Sequence, residues 1–268
     1  MKRTLLLGLL ITSHALAQDV RVKIEDFSFN YNDPSGSGEA ALFRHNQKTL
    51  EGVQVGVEKI GEAMNFKVTG SEDHEFNLEK APDVVMKAKT MTVDDLDLTY
   101  EDSLSFSILE GEFVGEDELH LKNFTLNCNK DVTQTAAEDQ LILGCLQKMT
   151  VKSQSFSQSA VEEGMVSAFT SALNSVAGSR GNMTIKSLDF KINNGKYELG
   201  AEIKAALSGK AKSSGNMSYD PASGIITIKI SEVKFGILSV TGKVFDELKK
   251  NENDRMKVKQ PNVYYKIK

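Results

Sequence analysis

The residues with the most distinctive chemistry are two cysteines, Cys128 and Cys145. Their spacing matches neither a C-x-x-C redox motif nor a zinc pattern. In an oxidising compartment such a pair is expected to form a disulfide, and two free buried thiols are the alternative. In the chain-entropy picture, closing a loop of this size stabilises the fold by about 3 kcal/mol.

Motifs for catalysis or metal binding are not found in the sequence. Asp94, Asp95 and Asp97 could bind calcium weakly, but their spacing is not that of an EF-hand, and solvated charges on a strand are the better interpretation. No G-x-S-x-G elbow, Walker loop, G-x-G-x-x-G or H-E-x-x-H motif occurs. The histidines of the mature chain would be His45, His74 and His120. We therefore expect no enzymatic activity, no metal and no other cofactor.

The N-terminus has the three parts of a secretory signal peptide. Lys2 and Arg3 precede an apolar run, Leu5–Ile11, and a small-x-small cleavage site ends at Ala17. The apolar run is far too short to span a bilayer. We expect residues 1–17 to be removed and the mature chain to be soluble, in the periplasm or secreted. A buried N-terminal helix is the alternative.

Composition indicates an ordinary globular protein. The chain has 268 residues, of which 40% are hydrophobic and 26% are charged, with a net charge of −5. A nucleic-acid-binding protein would need clustered basic residues, so we expect no nucleic-acid partner. This length fits one large domain or two small ones, and we predict a single domain over residues 18–268.

One strand pattern recurs along the chain. Apolar residues alternate with polar ones, two polar residues then follow in succession, and the alternation resumes. The five clear copies have their polar pairs at Glu25-Asp26, Asp94-Asp95, Lys122-Asn123, Lys186-Ser187 and Ser231-Glu232. An imperfect copy has its pair at Lys152-Ser153, where Gln154 follows.

The extra polar residue shifts the phase of the strand, because successive side chains point to opposite faces. Beyond the pair, either the strand buries its other face, or a β-bulge keeps both apolar halves on one face. Bulges repeated across neighbouring strands would curve the sheet into a trough or partial barrel. A long twisted antiparallel sheet with ordinary irregularities is the alternative.

Turn-forming residues predict loops or hairpin turns at residues 33–38, 193–195 and 220–224. Residues 129–140 look like a polar connection, so the disulfide would staple a hairpin. The secondary structure of residues 39–80 is left open. Residues 53–57 alternate like a strand, while Glu58–Met64 could be helical.

Two segments have the helical period. The longer covers 158–178, with apolar residues at Val161, Met165, Ala168, Phe169, Ala172, Leu173 and Val176. It either packs on the sheet or forms one wall of an apolar groove. The shorter covers Val240–Lys250, with Val240, Val244, Phe245 and Leu248 facing inward. A strand over Lys257–Lys268 closes the chain, with Val258, Val263 and Tyr265 on its apolar side.

The order of elements over Asn182–Lys268, with the junction Val-Lys-Phe-Gly-Ile-Leu-Ser-Val at 233–240, resembles bacterial periplasmic members of the tubular lipid-binding (TULIP) superfamily. The resemblance covers about the last third of the chain. It implies a strongly curved antiparallel sheet wrapped around one long helix, enclosing an apolar tunnel for lipid tails. The β-groove lipid-bridge proteins are the second resemblance.

These observations predict an α+β fold that is mostly β, with a strongly curved antiparallel sheet wrapped around one long helix and a short helix near the C-terminus. The expected function is to bind or carry lipid in the periplasm, with a phospholipid or fatty acyl ligand and transient membrane contact. The tunnel would be lined by Val161, Met165, Phe169 and Leu173 on the helix and by Ile228, Ile230, Val233 and Phe235 on the sheet. A structural or adhesive cell-envelope protein with a filled core is the alternative.

Overall fold

The computed structural model describes residues 20–32, 34–60, 63–78, 88–115, 118–134, 136–158, 184–204 and 208–267. These residues form mostly antiparallel β-sheet with two short helices, so the predicted mostly-β class is confirmed. The signal peptide over 1–17 lies outside the described residues, and so does the predicted long helix from residue 159 onward. Gln158, its predicted first residue, instead ends a strand. The strong curvature and the wrapped helix remain predictions.

Two compact units make up the chain, Met1–Thr125 and Leu126–Lys268. We name them unit 1 and unit 2, and one strand, Glu118–Asn129, crosses the boundary between them. The single domain expected over residues 18–268 remains a prediction.

The described elements of unit 1 are all strands. They are β1 (Val20–Glu25), β2 (Phe27–Asn32), β3 (Ser35–His45), β4 (Lys48–Ile60), β5 (Ala63–Thr69), β6 (Asp73–Leu78), β7 (Ala88–Tyr100), β8 (Ser103–Gly115) and β9 (Glu118–Asn129). The strands β6, β5, β4 and β3 pair antiparallel in that order, β1 and β2 together lie antiparallel between β3 and β7, and β8 pairs antiparallel with β7. The helical alternative for Glu58–Met64 is therefore wrong, because β4 extends to Ile60 and β5 begins at Ala63.

Unit 2 combines a sheet with two helices. Its elements are α1 (Ala137–Gln147), β10 (Lys148–Ser153), β11 (Ser155–Gln158), β12 (Thr184–Asn193), β13 (Lys196–Lys204), β14 (Gly209–Asp220), β15 (Ile225–Phe235), β16 (Leu238–Ser239), α2 (Thr241–Lys250), β17 (Met256–Lys259) and β18 (Asn262–Lys266). The strands β10 and β11 pair with β12, which is followed by β13, β14, β15, β18 and β17. The short β16 pairs with the end of β15.

The recurring polar pairs of unit 1 are sites where the backbone turns left-handed. Asp26, Asp95 and Asn123 have φ angles of 49°, 50° and 47°, and each is the second residue of its pair. Asp and Asn tolerate this region better than other non-glycine residues do. Leu121 and Phe124, on either side of one pair, are both buried. Both apolar halves therefore stay on one face, which is the outcome that the bulge interpretation predicts.

These phase shifts line up from strand to strand. Ile24 pairs with Leu96, and Phe27 pairs with Val93 in the same register, so the two polar pairs between them face each other. The line of phase shifts continues into β4, where Gly52 also has a positive φ, of 57°. Leu50 and Val53, which lie on either side of Gly52 in the sequence, are both buried. Because partner strands shift together, the register and the apolar face are both kept.

In unit 2 two copies of the pattern produce a bulge against one neighbouring strand. On β12 the pairing with β13 shifts register between Ile185 and Ser187. On β15, Ile230 pairs with Gly215 while Glu232 pairs with Ser214, so Ser231 is the extra residue. The pairing of β13 with β14 shows no register shift, so the bulged strands flank a regular pair. A bulge of this kind bends its strand and increases its twist.

The loop predicted at residues 33–38 is wrong from Ser35 onward, because these residues begin β3. Gly38 pairs with Phe29, and a Cβ atom on Gly38 would lie 2.8 Å from Cδ2 of that ring. The same Cβ would lie only 2.2 Å from the backbone carbonyl oxygen of Ser28, so the glycine admits both the backbone and the aromatic ring of the next strand. At Gly215 a Cβ would lie 1.9 Å from the backbone carbonyl oxygen of Lys229 and 2.7 Å from Cε1 of Tyr197, so this glycine also admits both a backbone and a ring.

Both predicted hairpin turns are confirmed. Asn194 and Gly195 join β12 to β13 with φ angles of 47° and 73°, as a two-residue type I′ turn requires. Between β14 and β15, the Ser223 hydroxyl donates a hydrogen bond of 2.6 Å to the Asp220 carboxylate.

Two predictions about where the chain turns back on itself are wrong. Cys145 lies in α1 and not on the second strand of a hairpin, because residues 137–147 bury Leu141, Ile142 and Leu146 at helical spacing. The closing strand over Lys257–Lys268 is instead the hairpin of β17 and β18, in which Val258 pairs with Val263. An odd spacing of five residues cannot keep both valines on one face of a single strand, and the turn removes this conflict.

The left-handed backbone at the polar pairs can be tested at Asp26, whose side chain is exposed. We expect Asp26→Ala to lower the free energy of unfolding by about 1 kcal/mol, because an alanine Cβ is strained at this φ. Asp26→Gly removes the same charge without strain and should change stability by only a few tenths of a kcal/mol. Urea unfolding of both variants measures the difference. Equal losses for alanine and glycine would show that the φ angle is not limiting.

Candidate functional site

The inner face of the unit 2 sheet carries a cluster that the helices cover. The predicted helix over Val240–Lys250 is confirmed as α2, which buries Val244, Phe245 and Leu248 and contacts β15 and β17. We name this the α2 cluster; its buried residues are Ile142, Leu146, Ile192, Tyr197, Tyr219, Ile228, Ile230, Val233, Val240, Val244, Phe245, Leu248, Met256, Val258 and Val263.

Three of the predicted lipid-contacting residues belong to the α2 cluster. Ile228, Ile230 and Val233 are buried there, and Val233 is completely inaccessible. Phe235 is partly buried at the edge of the same cluster. The predicted wall on the long helix lies outside the described residues: Val161, Met165, Phe169 and Leu173. Whether these eight residues contact lipid remains a prediction.

A second cluster begins where the first one ends. We name it the Phe235 cluster; it contains Ile185, Leu188, Ala201, Ile203, Ala211 and Phe235. These residues come from four adjacent strands, β12 to β15, and none of them belongs to α1 or α2. Ile203 and Ala211 are fully buried, whereas Ile185, Leu188 and Phe235 are partly exposed. The cluster is therefore an apolar surface that, within the described chain, strands alone provide.

Small residues set the shape of the Phe235 cluster. A Cβ atom on Gly209 would lie 2.7 Å from Cζ of Phe235, so the ring occupies the space above this glycine. Ala211 pairs with Phe235, and Ala201 pairs with Ala211. The sequence prediction found only Phe235 of this set. The missed signal is the Ala and Gly residues at 201, 209 and 211, which neighbour an aromatic side chain only after strand pairing.

Polar groups are few on this inner face. Among the described residues the buried polar ones are Ser153 and Ser213. The hydroxyl of Ser213 lies 3.2 Å from that of Tyr197, and burial raises the pKa of the tyrosine. Tyr197 is therefore uncharged at neutral pH. Beside the α2 cluster, the Asp139 carboxylate accepts a hydrogen bond of 2.7 Å from the Tyr219 hydroxyl. A face with so few polar groups suits hydrocarbon.

The aspartate trio has the surroundings of strand surface charges. The Lys23 ammonium group lies 3.8 Å from the Asp95 carboxylate, and a hydrogen bond with Glu25, followed by the charge of Asp95, raises the pKa of Lys23. The described part of the chain contains no group of three or more His, Cys, Asp or Glu side chains arranged to hold a metal ion. The expected lack of cofactor and of enzymatic activity remains a prediction.

Cys128 on β9 and Cys145 on α1 form a disulfide, with their Cα atoms 4.7 Å apart. The alternative of two free thiols is therefore wrong. Gly144, beside the bridge, permits close packing, since a Cβ there would lie 2.4 Å from the carbonyl oxygen of Asn129. The disulfide fits an oxidising compartment. Within the described ranges, no helix has the length and hydropathy to cross a membrane.

Comparison with known proteins gives no relative. No family model matches the chain, and no curated protein or solved structure matches it either. The resemblance to the tubular lipid-binding superfamily therefore remains a prediction.

The disulfide should stabilise the helix–strand junction measurably. We expect the double variant Cys128→Ala and Cys145→Ala to lose about 3 kcal/mol of unfolding free energy, because the unfolded chain regains the freedom of the closed loop. Reduced wild-type protein is the matched control and should unfold at the same denaturant concentration as the variant. A variant as stable as the oxidised wild type would contradict the stapling role.

Proposed function

We propose that this protein binds the acyl chains of phospholipids or fatty acids and carries them outside the cytoplasm. The observation that carries the proposal is the Phe235 cluster, an apolar surface formed by four strands with three partly exposed members. A surface of this kind lowers its free energy by taking up hydrocarbon. Burial of each CH₂ group contributes about 0.8 kcal/mol, so one acyl chain binds without a charged anchor.

The phase-shifted strands support the same proposal. They keep one apolar face over long strands, and β15 alone extends over 11 residues. At about 3.3 Å per residue this is roughly 36 Å, which exceeds the length of a common fatty acid. Bulges on β12 and β15 bend the two strands that border the cluster, which favours a concave surface over a flat one.

A filled-core structural or adhesive protein is the second candidate, and the α2 cluster favours it. Val233 and Val263 are completely inaccessible, and Phe245 is nearly so. This region has the close packing of an ordinary protein core, with two helices over the sheet. In the second candidate, the Phe235 cluster would be the edge of this core and would bind nothing.

Export to the periplasm, or secretion, is part of the proposal. The disulfide supports it, because cytosolic thiols are generally kept reduced. The mass of the protein recovered from the producing cells would test it, since cleavage after Ala17 leaves a chain beginning at Gln18.

The proposal is tested by measuring lipid in and on the purified protein. We expect native mass spectrometry followed by solvent extraction to reveal bound phospholipid or fatty acid. Delipidated protein should then take up a fluorescent fatty acid. Phe235→Gln should weaken uptake about tenfold or more, because it replaces apolar contact area with a polar amide. Leu188→Gln on β12 should have the same direction of effect.

Lys234→Gln is the matched control, because it is the neighbouring residue on β15 and points to the opposite face. Its uptake should equal that of the wild type. Thermal unfolding of each variant separates weaker binding from lost folding. Ile230→Asp is a poorer test, since it buries a charge in the α2 cluster and challenges folding itself. A wild-type protein with no bound lipid and no uptake would favour the filled-core candidate.

A further inference from the structure

The turn that joins β15 to β16 exposes two large apolar side chains side by side. Ile237 is 95% exposed and Leu238 is 59% exposed. The other strongly exposed apolar residues among those described are Ile60, Leu109 and Val132, which lie far apart in the sequence. Scattered single residues of this kind are ordinary on protein surfaces. An adjacent pair at the end of a hairpin is a local feature that needs its own explanation.

Hydrogen bonds anchor both ends of this turn. Gly236, with a φ of 61°, donates its N–H to the carbonyl of Lys210 at 2.8 Å. On the other side, Val240 donates its N–H to the carbonyl of Val233 at 2.9 Å. Val233 in turn donates to the Thr241 hydroxyl at 2.8 Å. The side chains of Ile237 and Leu238 are therefore presented on a braced backbone, so docking requires little ordering of the turn.

Several lysines lie on the strands and helix next to the turn. Lys212 of β14 pairs directly with Lys234 of β15, and Lys210 lies two residues nearer the turn. Lys243 is exposed in the first turn of α2. Acidic residues offset part of this charge, since Glu232 contacts Lys234 and Glu202 pairs with Lys210. Of the residues named here four are lysines and two are glutamates, in a chain whose net charge is −5.

We propose that Ile237 and Leu238 form a membrane-docking tip that inserts into the headgroup region of an anionic lipid bilayer. Apolar side chains with lysines in neighbouring positions match the two layers of such a surface, because the apolar groups would reach the acyl boundary while the ammonium groups meet lipid phosphates. The tip begins directly after Phe235 and is therefore adjacent to the Phe235 cluster. This inference goes beyond lipid binding and does not require it.

Vesicle sedimentation of the mature full-length protein tests the tip. The probe is vesicles of phosphatidylglycerol with phosphatidylethanolamine, compared with vesicles of phosphatidylcholine alone. We expect preferential binding to the anionic vesicles. The double variant Ile237→Ser and Leu238→Ser should reduce binding about tenfold or more, because both residues lose the hydrocarbon that enters the bilayer. Val132→Ser is the matched control, as Val132 is 70% exposed elsewhere in unit 2, and it should bind like the wild type.

Charge and apolar contributions are separated by Lys210→Gln combined with Lys212→Gln. This variant should lose the preference for anionic vesicles and should show a weaker dependence on salt. The proposal is overturned if the wild type binds no vesicles, or if the serine variant binds as well as the wild type. It is also overturned if the tip instead mediates a dimer that the serine variant abolishes. Fatty-acid uptake, measured without vesicles, reports on the proposed function separately.

Discussion

The fold depends on keeping one face of each strand apolar when an extra residue interrupts the alternation. A strand has a period of two, so a single inserted residue would turn every following apolar side chain toward solvent. In unit 1 the left-handed backbone at Asp26, Asp95 and Asn123 prevents this. Leu121 and Phe124 are both buried as a result, although three positions separate them. Without that local backbone geometry, half of each long strand would present its polar side to the core.

The two units use the extra residue in different ways. In unit 1 the shifts face one another, so both partner strands change phase together and the register remains constant. In unit 2 the shift on β12 lies opposite β13 and the shift on β15 lies opposite β14, and a register change accompanies each of these two pairings. On its other side β12 keeps a constant register with β10 and β11. The first arrangement preserves pairing across the sheet, whereas the second lengthens one strand relative to its neighbour. Only the second necessarily bends a strand against its partner.

How far sequence reasoning succeeds depends on whether the determining contact is local. The polar pairs, the Asn194-Gly195 turn and α2 were predictable because each is specified by residues within a few positions of one another. The β3 residues Gly36 and Gly38 were not, because a turn-like composition conceals their function of admitting Phe29 from another strand. Likewise, the Ala and Gly residues beneath Phe235 meet it only through strand pairing. The placement of Cys145 on a helix depends on the four-residue spacing of Ile142 and Leu146, a short signal within a stretch that looks like a polar connection up to residue 140.

The strand β15 connects the two candidate functions within a few residues. Ile228 and Ile230 lie in the α2 cluster, which is packed as a core, while Phe235 lies in the partly exposed cluster and Ile237 beyond it is almost fully exposed. The same alternating apolar face thus passes from filled interior to accessible surface. A purely structural protein gains stability from the first part alone, and exposed hydrocarbon at the end of β15 contributes nothing to its folding. In a lipid carrier, all the apolar residues along β15 and the turn would have a function. An acyl chain drawn from a bilayer would meet the tip first and then the Phe235 cluster. Under the proposed function, the unequal exposure along β15 would be the path along which an acyl chain enters.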